Sequence, residues 1–387
     1  MLIEVHMIKN YAPSNLNRDD TGSPKSCIFG GEPRGRISSQ CLKRNLRISE
    51  ILQNSLGKDL FGKRTRKLPD LLAMELERRG MNQDFIEAAM KKASGFGNKE
   101  GKENDELKTA QIMFFSPADV TAVADCFLDA WKEAGENLKD FNKIKAKDLQ
   151  DKMKDIMRPV TLDIALFGRM ITSNAFRDVE ASIQVAHAIS TNRLEREFDY
   201  YTAMDDLLKS GEETGAGMVG DTEFNSNCYY HYFSLDLNQL IENLKGVKGA
   251  ADIAVKAVPA LVRAFCYVSP SGKQNSFAAH QLPSAVCVEI KDEKIPVSYA
   301  NAFVKTASPG WKGDGLSRKQ VNLIEDSVEK LVKEITNISR KFDIKVYRRL
   351  WFIADDTLPS PENALVCESF GIMLTKLEEA LAREVMV

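Results

Sequence analysis

The sequence offers none of the familiar catalytic signatures. Its seven cysteines, at 27, 41, 126, 228, 266, 287 and 367, form no C-x-x-C pair, so neither a zinc knuckle nor a redox dithiol is signalled. No H-E-x-x-H or G-x-S-x-G occurs, and Gly30, Gly31 and Gly35 fit neither G-x-G-x-x-G nor G-x-x-x-x-G-K-[ST]. The four histidines, His6, His187, His231 and His280, are scattered, and core or hydrogen-bonded roles are expected for them. Long apolar runs are missing too. The most apolar stretch, 251–268, contains Asp252, Lys256 and Arg263 and predicts no membrane span. The opening MLIEVHMIKN alternates and reads as no secretory signal. With an odd number of unpaired cysteines, this composition suits a reducing cytoplasm with free thiols. Nor is there an excess of one charge: the net charge is -2 and the pI is near 6.2, which argues against a uniformly basic coat but leaves room for a local patch.

That patch is present. Residues 17–47, NRDDTGSPKSCIFGGEPRGRISSQCLKRNLR, hold seven basic residues against three acids. A near-neutral chain that concentrates cations this way has a polyanion to hold there. Arg18, Lys25, Arg34 and Arg36 lie in what reads as a long connection over 10–37, punctuated by glycine and proline. Ser38 or Ser39 then caps a helix running to about residue 56. On that helix Lys43 and Arg47 stand one turn apart, with Arg44 beside them. The helix start near Ser39 and Gln40 is expected to present unpaired N–H groups suited to phosphate. Lys63, Arg64, Arg66 and Lys67 form a second basic cluster, read as an exposed turn.

At 387 residues the chain is long enough for two domains or one with large insertions. Strands are predicted over 2–8, 160–167, 184–191, 228–233 and 285–290 by period-two alternation or apolar runs. Residues 57–155 read as a mostly helical insertion, with 94–106 as a solvated turn region. Helices are expected from 238, over 251–265 with a kink at Pro259, and over 323–342. Between 192 and 227 lies a polar excursion with GEETGAGMVGD at its tip. Strands split by irregular helical stretches predict an α+β fold, an elaborated β-α-β-β-α-β (ferredoxin-like) domain. A sheet of that type often serves as an RNA platform, although fold alone does not fix function.

Several segments resemble the CasC family, the repeated backbone subunit of Cascade, the type I-E CRISPR surveillance complex. They are SNLNRDD at 14–20, KSCIFGG at 25–31, RISSQCLKR at 36–44, TLDIALFGRM at 161–170, VAHAIST at 185–191, FDYYTAMDDL at 198–207, EFNSNCYYHY at 223–232 and SYANAFVK at 298–305. The resemblance implies a hand-shaped protein: a modified RNA-recognition-motif palm from 1–56 and 156–310, helical fingers from 57–155, a protruding thumb at 192–227, and a C-terminal helical extension, 311–387, completing the palm. It further implies copies assembled head-to-tail along one CRISPR RNA, other Cascade subunits (large, small, end-capping and RNA-processing) as neighbours, and guide bases left open to pair with target DNA.

With the resemblance, the candidate RNA-binding set is Arg18, Lys25, Arg36, Ser39, Gln40, Lys43, Arg44, Arg47, Arg169 and Met170. Met170 matches a family position near a displaced base, and Gly215, Gly217, Met218 and Val219 mark the thumb. No cofactor, metal, membrane or catalytic role is expected. Two other readings are a ribonuclease using Asp19, Asp20 or Asp221, as in related type III backbone subunits, and a scaffold binding protein only.

Overall fold

The computed structural model describes residues 1–154, 156–203, 218–312 and 319–385. Its elements run in the order β1 (Leu2–Asn10), β2 (Ser26–Phe29), β3 (Glu32–Ile37), α1 (Ser39–Arg47), α2 (Glu50–Leu56), β4 (Lys63–Thr65), α3 (Leu68–Arg78), α4 (Gln83–Ser94), β5 (Met113–Phe115), α5 (Pro117–Glu133), α6 (Leu138–Lys143), α7 (Ala146–Met153) and α8 (Leu162–Phe167). There follow β6 (Ile183–Val185), β7 (Ala188–Ser190), β8 (Glu197–Ala203), β9 (Met218–Phe224), β10 (Cys228–Asp236), α9 (Leu237–Asn243), α10 (Ala250–Tyr267) and α11 (Gln274–Phe277). The chain closes with β11 (Ala285–Lys291), β12 (Gly310–Lys312), β13 (Lys319–Val321), α12 (Leu323–Lys341), β14 (Arg348–Ile353), β15 (Leu365–Val366) and α13 (Phe370–Val385). It divides into two units, one of Met1–Leu52, Gln184–Asp236 and Val255–Val387, the other of Gln53–Ile183 and Leu237–Ala254. The fold is mixed α+β, with a central sheet and helical insertions.

The first unit is built on a sheet of order β15-β14-β11-β1-β10-β7-β3-β2. Strand β1 pairs antiparallel with both β10 (Val5↔Phe233) and β11 (Val5↔Val288), so these two neighbours run parallel to each other. Both faces of β1 are covered. Val5 and Met7 face one way with Phe233, which packs edge-on against Phe265 of α10. Ile8 faces the other with Tyr230, Cys287 and Trp351, under Val328, Leu331 and Ile335 of α12. The polar half of the alternation in β1 is therefore buried rather than wetted, and it is paired. Glu4 accepts hydrogen bonds from the Lys291 ammonium, from Tyr232 Oη at 2.5 Å and from the Val297 N–H at 2.7 Å. Arg349 Nε donates to Glu289 at 2.7 Å.

His6 and His231 lie in the same sheet. His6 Nδ1 is 2.9 Å from Tyr230 Oη, whereas neither nitrogen of His231 has a partner among the described residues. Burial holds both at about 3, well below the ordinary 6.5. The folded values lie below the unfolded one, so the unfolded chain binds more protons between them, and stability falls as pH drops through that window. Two such groups give a slope of about 2.7 kcal/mol per pH unit. Replacing His231 by Phe is expected to halve that slope and to change stability at pH 8 by less than about 1.5 kcal/mol. Denaturant midpoints measured from pH 8 to 5 check this; an unaltered slope would contradict it.

The second unit is mainly helical. Its core joins Phe85, Phe96, Phe115, Phe127, Trp131, Phe141 and Phe176, drawn from α4, α5, α6 and the segments between helices. Helix α5 begins with a reciprocal cap: Ser116 Oγ accepts from the Asp119 N–H, and the Asp119 carboxylate accepts from the Ser116 N–H. Among the described residues no helix is long and apolar enough to cross a membrane, and all seven cysteines are free.

Four expectations are corrected. The 10–37 connection contains a hairpin, β2–β3, closed by Gly30 and Gly31 at φ +62° and +81°. Both central residues of such a two-residue turn need positive φ, which is why two glycines stand there. The helix over 39–56 breaks at Ile48, and Ser49 Oγ accepts from the Ile51 N–H as α2 restarts. Residues 162–167 are helix α8, not strand. Leu162 to Leu166 are buried on every side, and period two cannot be told from a buried helix in so short a run. Asp163 accepts from the Gly62 N–H, and the Ala165 carbonyl accepts from Ser182 and Asn243 side chains. The segment after 310 is not only helical, since β14 adds to the main sheet beside β11. Smaller differences follow the same pattern. Residues 94–97 are buried, with Gln150 Nε2 donating to the Gly95 carbonyl, and residues 63–65 are strand β4 paired with β5.

Candidate nucleic-acid interface

In the first unit the basic segment is shaped by β-pairing and by caps. Strand β3 pairs with β7 (Arg36↔Ile189, Ile37↔Ala188), which brings His187 beside the start of α1. Ser38 is the N-cap, its Oγ accepting from the Cys41 N–H at 3.3 Å. Its own N–H donates to Asn17 Oδ1 at 2.8 Å, and the Ser39 N–H donates to His187 Nδ1 at 2.9 Å. The helix start is thus already occupied at Ser39 and Cys41, which corrects the expectation of free first-turn donors there. Because Nδ1 accepts, the neutral ring carries its proton on Nε2. Burial lowers the His187 pKa, and Arg36, Lys25 and Lys43 lower it further. The charge of those three cations therefore reaches one imidazole drawn from a distant part of the chain.

Arg18 and Arg44 line a groove of about 630 Å3 with Asn17, Gln40 and Gly272, and Asp19 and Asp20 lie in the same lining. Arg18, Gln40 and Arg44 are exposed; Lys25, Arg36, Ser39, Lys43 and Arg47 are half-buried. Arg36 Nε donates to the Ser26 carbonyl at 3.3 Å. The loop is fixed by Asp19, whose Oδ1 accepts from Thr21 N–H, Thr21 Oγ1 and Ser23 N–H. These bonds lower the Asp19 pKa, the Thr21 hydroxyl first among them.

Arg34 is not part of this surface. It is 0% exposed, and its guanidinium donates to the carbonyls of Ser190, Thr191, Phe303 and Val304. Its inclusion in the phosphate-contact cluster is corrected: it is a buried clamp between the hairpin, β7 and the 299–303 turn.

The excursion at 192–227 contains an antiparallel ribbon, β8–β9, from Glu197↔Phe224 to Ala203↔Met218. Every residue of β8 is exposed, including Phe198, Tyr200 and Tyr201, as are Met218 and Val219 at the start of β9. The ribbon's base is tied to the basic loop: Ser14 bridges Asn225, and Asn15 Nδ2 donates to the carbonyls of Gly22 and Glu223. Gly215 and Gly217 lie outside the described residues.

Arg169 and Met170 belong to the second unit. Arg169 is 5% exposed; its Nη1 donates to Asp119 Oδ2 at 2.6 Å and to the Phe114 carbonyl at 3.1 Å, and its Nε to the Arg177 carbonyl. The guanidinium expected to contact RNA is thus engaged within its own unit by Asp119 and two backbone carbonyls. Met170 is 94% exposed. Arg66 of the second basic cluster donates to the Thr109 carbonyl.

Asp19, Asp20 and Asp221 are exposed, and among the described residues no group of three or more His, Cys, Asp or Glu is arranged to hold a metal ion. The histidines do not converge: His6 and His231 are core residues, His187 sits at the helix start, and His280 is exposed. Sequence reading missed His187 and Asn17 as parts of the interface; the motifs VAHAIST and SNLNRDD contained them.

A family model described as "CT1975-like protein" matches residues 3–379. No curated protein matches the chain at a significant level. Among solved structures, a chain of a "CRISPR RNA-guided surveillance complex, pre-nicking" is similar at TM-score 0.78 and 24% identity, over 98% of this chain and 100% of that one. A chain of a "CRISPR RNA-guided surveillance complex" is similar at TM-score 0.59 and 21% identity, over 98% and 100%. At these identities the likeness is one of fold.

Proposed function

The chain belongs to the CT1975-like protein family, and from that premise we propose that it is a non-catalytic CRISPR RNA-binding backbone subunit of the type I-E Cascade kind. In this reading it polymerises head-to-tail along a guide RNA, holds its phosphates and leaves guide bases free to pair with target DNA. The observation that carries the proposal is the charge of Lys25, Arg36 and Lys43 reaching His187 beside the Arg18–Arg44 groove, on a fold shared with chains of two surveillance complexes.

The chemistry suits that task. A subunit repeated along arbitrary guides must grip phosphate and sugar, because those contacts carry little sequence information. Specificity then comes from base pairing. Head-to-tail contacts are heterologous and extend into a filament, which other subunits end. A net charge of -2 limits repulsion between stacked copies while residues 17–47 keep a local excess of cations. The β10 and β11 strands flanking β1, with α10 in the connection between them, support the RNA-recognition-motif palm. The exposed aromatic ribbon β8–β9 supports a thumb reaching over RNA on the next copy, and exposed Met170 supports a wedge beside a displaced base.

The test is assembly with a CRISPR RNA and the neighbouring subunits, followed by addition of RNA complementary to the guide with Mg2+ or Mn2+. The complementary RNA is expected to remain intact. Cutting that disappears with Asp19→Asn or Asp221→Asn would replace this reading with the ribonuclease one.

A further inference from the structure

The second unit buries more positive than negative charge around one carboxylate. Asp119 is 1% exposed, with Arg169 Nη1 2.6 Å from Oδ2 and Arg158 Nε 3.3 Å from Oδ1. Arg158 is itself only 9% exposed. A single carboxylate cannot offset two guanidiniums, and a charge in a dry interior needs a counter-ion. Arg158 is also incompletely bonded: Nη2 donates to the Ala175 carbonyl, while Nη1 has no acceptor among the described residues. Arg177 repeats the pattern. Its Nε has no acceptor among the described residues, and its Nη1 is 3.2 Å from Met157 Sδ, a weak one.

Both arginines line a cavity of about 440 Å3 together with Lys99 and Lys154, and among the described residues Asp178 is the carboxylate in that lining. The Asp178 Oδ1 already accepts from the Ile171 N–H at 2.7 Å. Among the described lining residues, four cations thus stand against one carboxylate, with Asp119 behind Arg158. We propose that this cavity is an oxyanion site that receives a backbone phosphate of the guide RNA. A phosphate would supply the missing acceptors and the missing charge together, and guanidinium is the group best matched to it. Burial lowers the Arg158 pKa as the site stands, and a bound anion would reverse that tendency. Ile156 and Met157, both exposed, give the cavity an apolar rim against which a sugar or base can lie, and Met170 immediately precedes the 171–178 wall. The proposal rests on the guide-holding reading, and it adds a contact that no basic cluster in the sequence marks.

Free phosphate shares this chemistry, so the experiment separates the sources. The full chain is melted in inorganic phosphate and in chloride at equal ionic strength, and guide RNA affinity is measured against salt. Wild type, Arg177→Gln and the Lys43→Ala/Arg47→Ala double variant are compared. Arg177 has no acidic partner among the described ion pairs, and only its backbone carbonyl serves Arg169, so Arg177→Gln is expected to fold. Phosphate should raise the melting temperature of wild type and of the double variant but not of Arg177→Gln. Arg177→Gln should also weaken RNA binding about tenfold and lower the salt slope by about 0.7, one single-strand contact. If phosphate does no more than chloride, the site is overturned. If phosphate stabilises but Arg177→Gln keeps the full RNA slope, the assignment to RNA is overturned and the cavity belongs to a free anion. Loss of RNA by the double variant alone would leave the guide-holding reading standing without this cavity. Unchanged binding in both variants would overturn that reading itself.

Discussion

Replacing Lys43 and Arg47 together by alanine is expected to weaken guide RNA binding about a hundredfold at low salt, equally for unrelated guide sequences. Each side chain is assigned one charge-assisted contact to a phosphate, at about 1.5 kcal/mol or more. Two lost contacts lower the slope of log affinity against log salt by about 1.4 on a single strand. Both residues lie one turn apart on α1, whose buried side is Leu42, Asn45 and Leu46, so the truncation leaves the helix packing in place. Filter binding or fluorescence anisotropy over a salt series reads the effect. A loss confined to one guide sequence would mean that these residues read bases, and an unchanged slope would remove them from the interface.

Arg34→Ala is expected to do something different: to destabilise the fold by about 3–5 kcal/mol. Its guanidinium reaches the carbonyls of Ser190 and Thr191 at 2.9 Å and that of Phe303 at 2.6 Å, with Val304 at 3.3 Å. Truncation removes a donor from each of those buried oxygens, of which that of Thr191 keeps the Ala307 N–H, and unpins the β2–β3 hairpin from β7. Gly30 belongs to the same contact, since a Cβ there would lie 2.5 Å from the Val304 carbonyl oxygen. Arg34→Lys should recover only part of the loss, because one ammonium cannot span four carbonyls. Denaturant unfolding checks both variants. A cost below about 1 kcal/mol for Arg34→Ala would show that the clamp is dispensable.

Arg34 and Arg36 mark a limit of sequence reading. In a strand they share one face, two residues apart, and both belong to one basic run. What separates them is the 299–303 turn, which covers Arg34 and leaves Arg36 half-exposed. That cover comes from more than 260 residues away, and no local pattern announces it. The same holds for Arg169: its burial depends on Asp119, fifty positions earlier. His187 is joined to Ser39 across 148 residues.

What the sequence did make legible was local. The Ser38 cap, the aromatic strand β10, the strand β11 and the helices α10 and α12 followed from cap chemistry and short-range patterning, whereas the exposure of Met170 did not, since a methionine after an apolar run reads equally as core filling. The Gly30–Gly31 turn was legible as well, but reading 10–37 as a single connection hid the hairpin signal. The run at 160–167 failed for a different reason. It is buried on all sides, so its apolar spacing records depth and carries no period.

The central claim is that this chain holds a CRISPR RNA as one of several copies along it. The most direct measurement is to co-express it with its neighbouring subunits and a CRISPR array, purify it, weigh the particle and sequence the bound nucleic acid. The account predicts a particle with several copies of this chain and one processed CRISPR RNA. A nucleic-acid-free single copy, with partner expression and guide processing both confirmed, would contradict it.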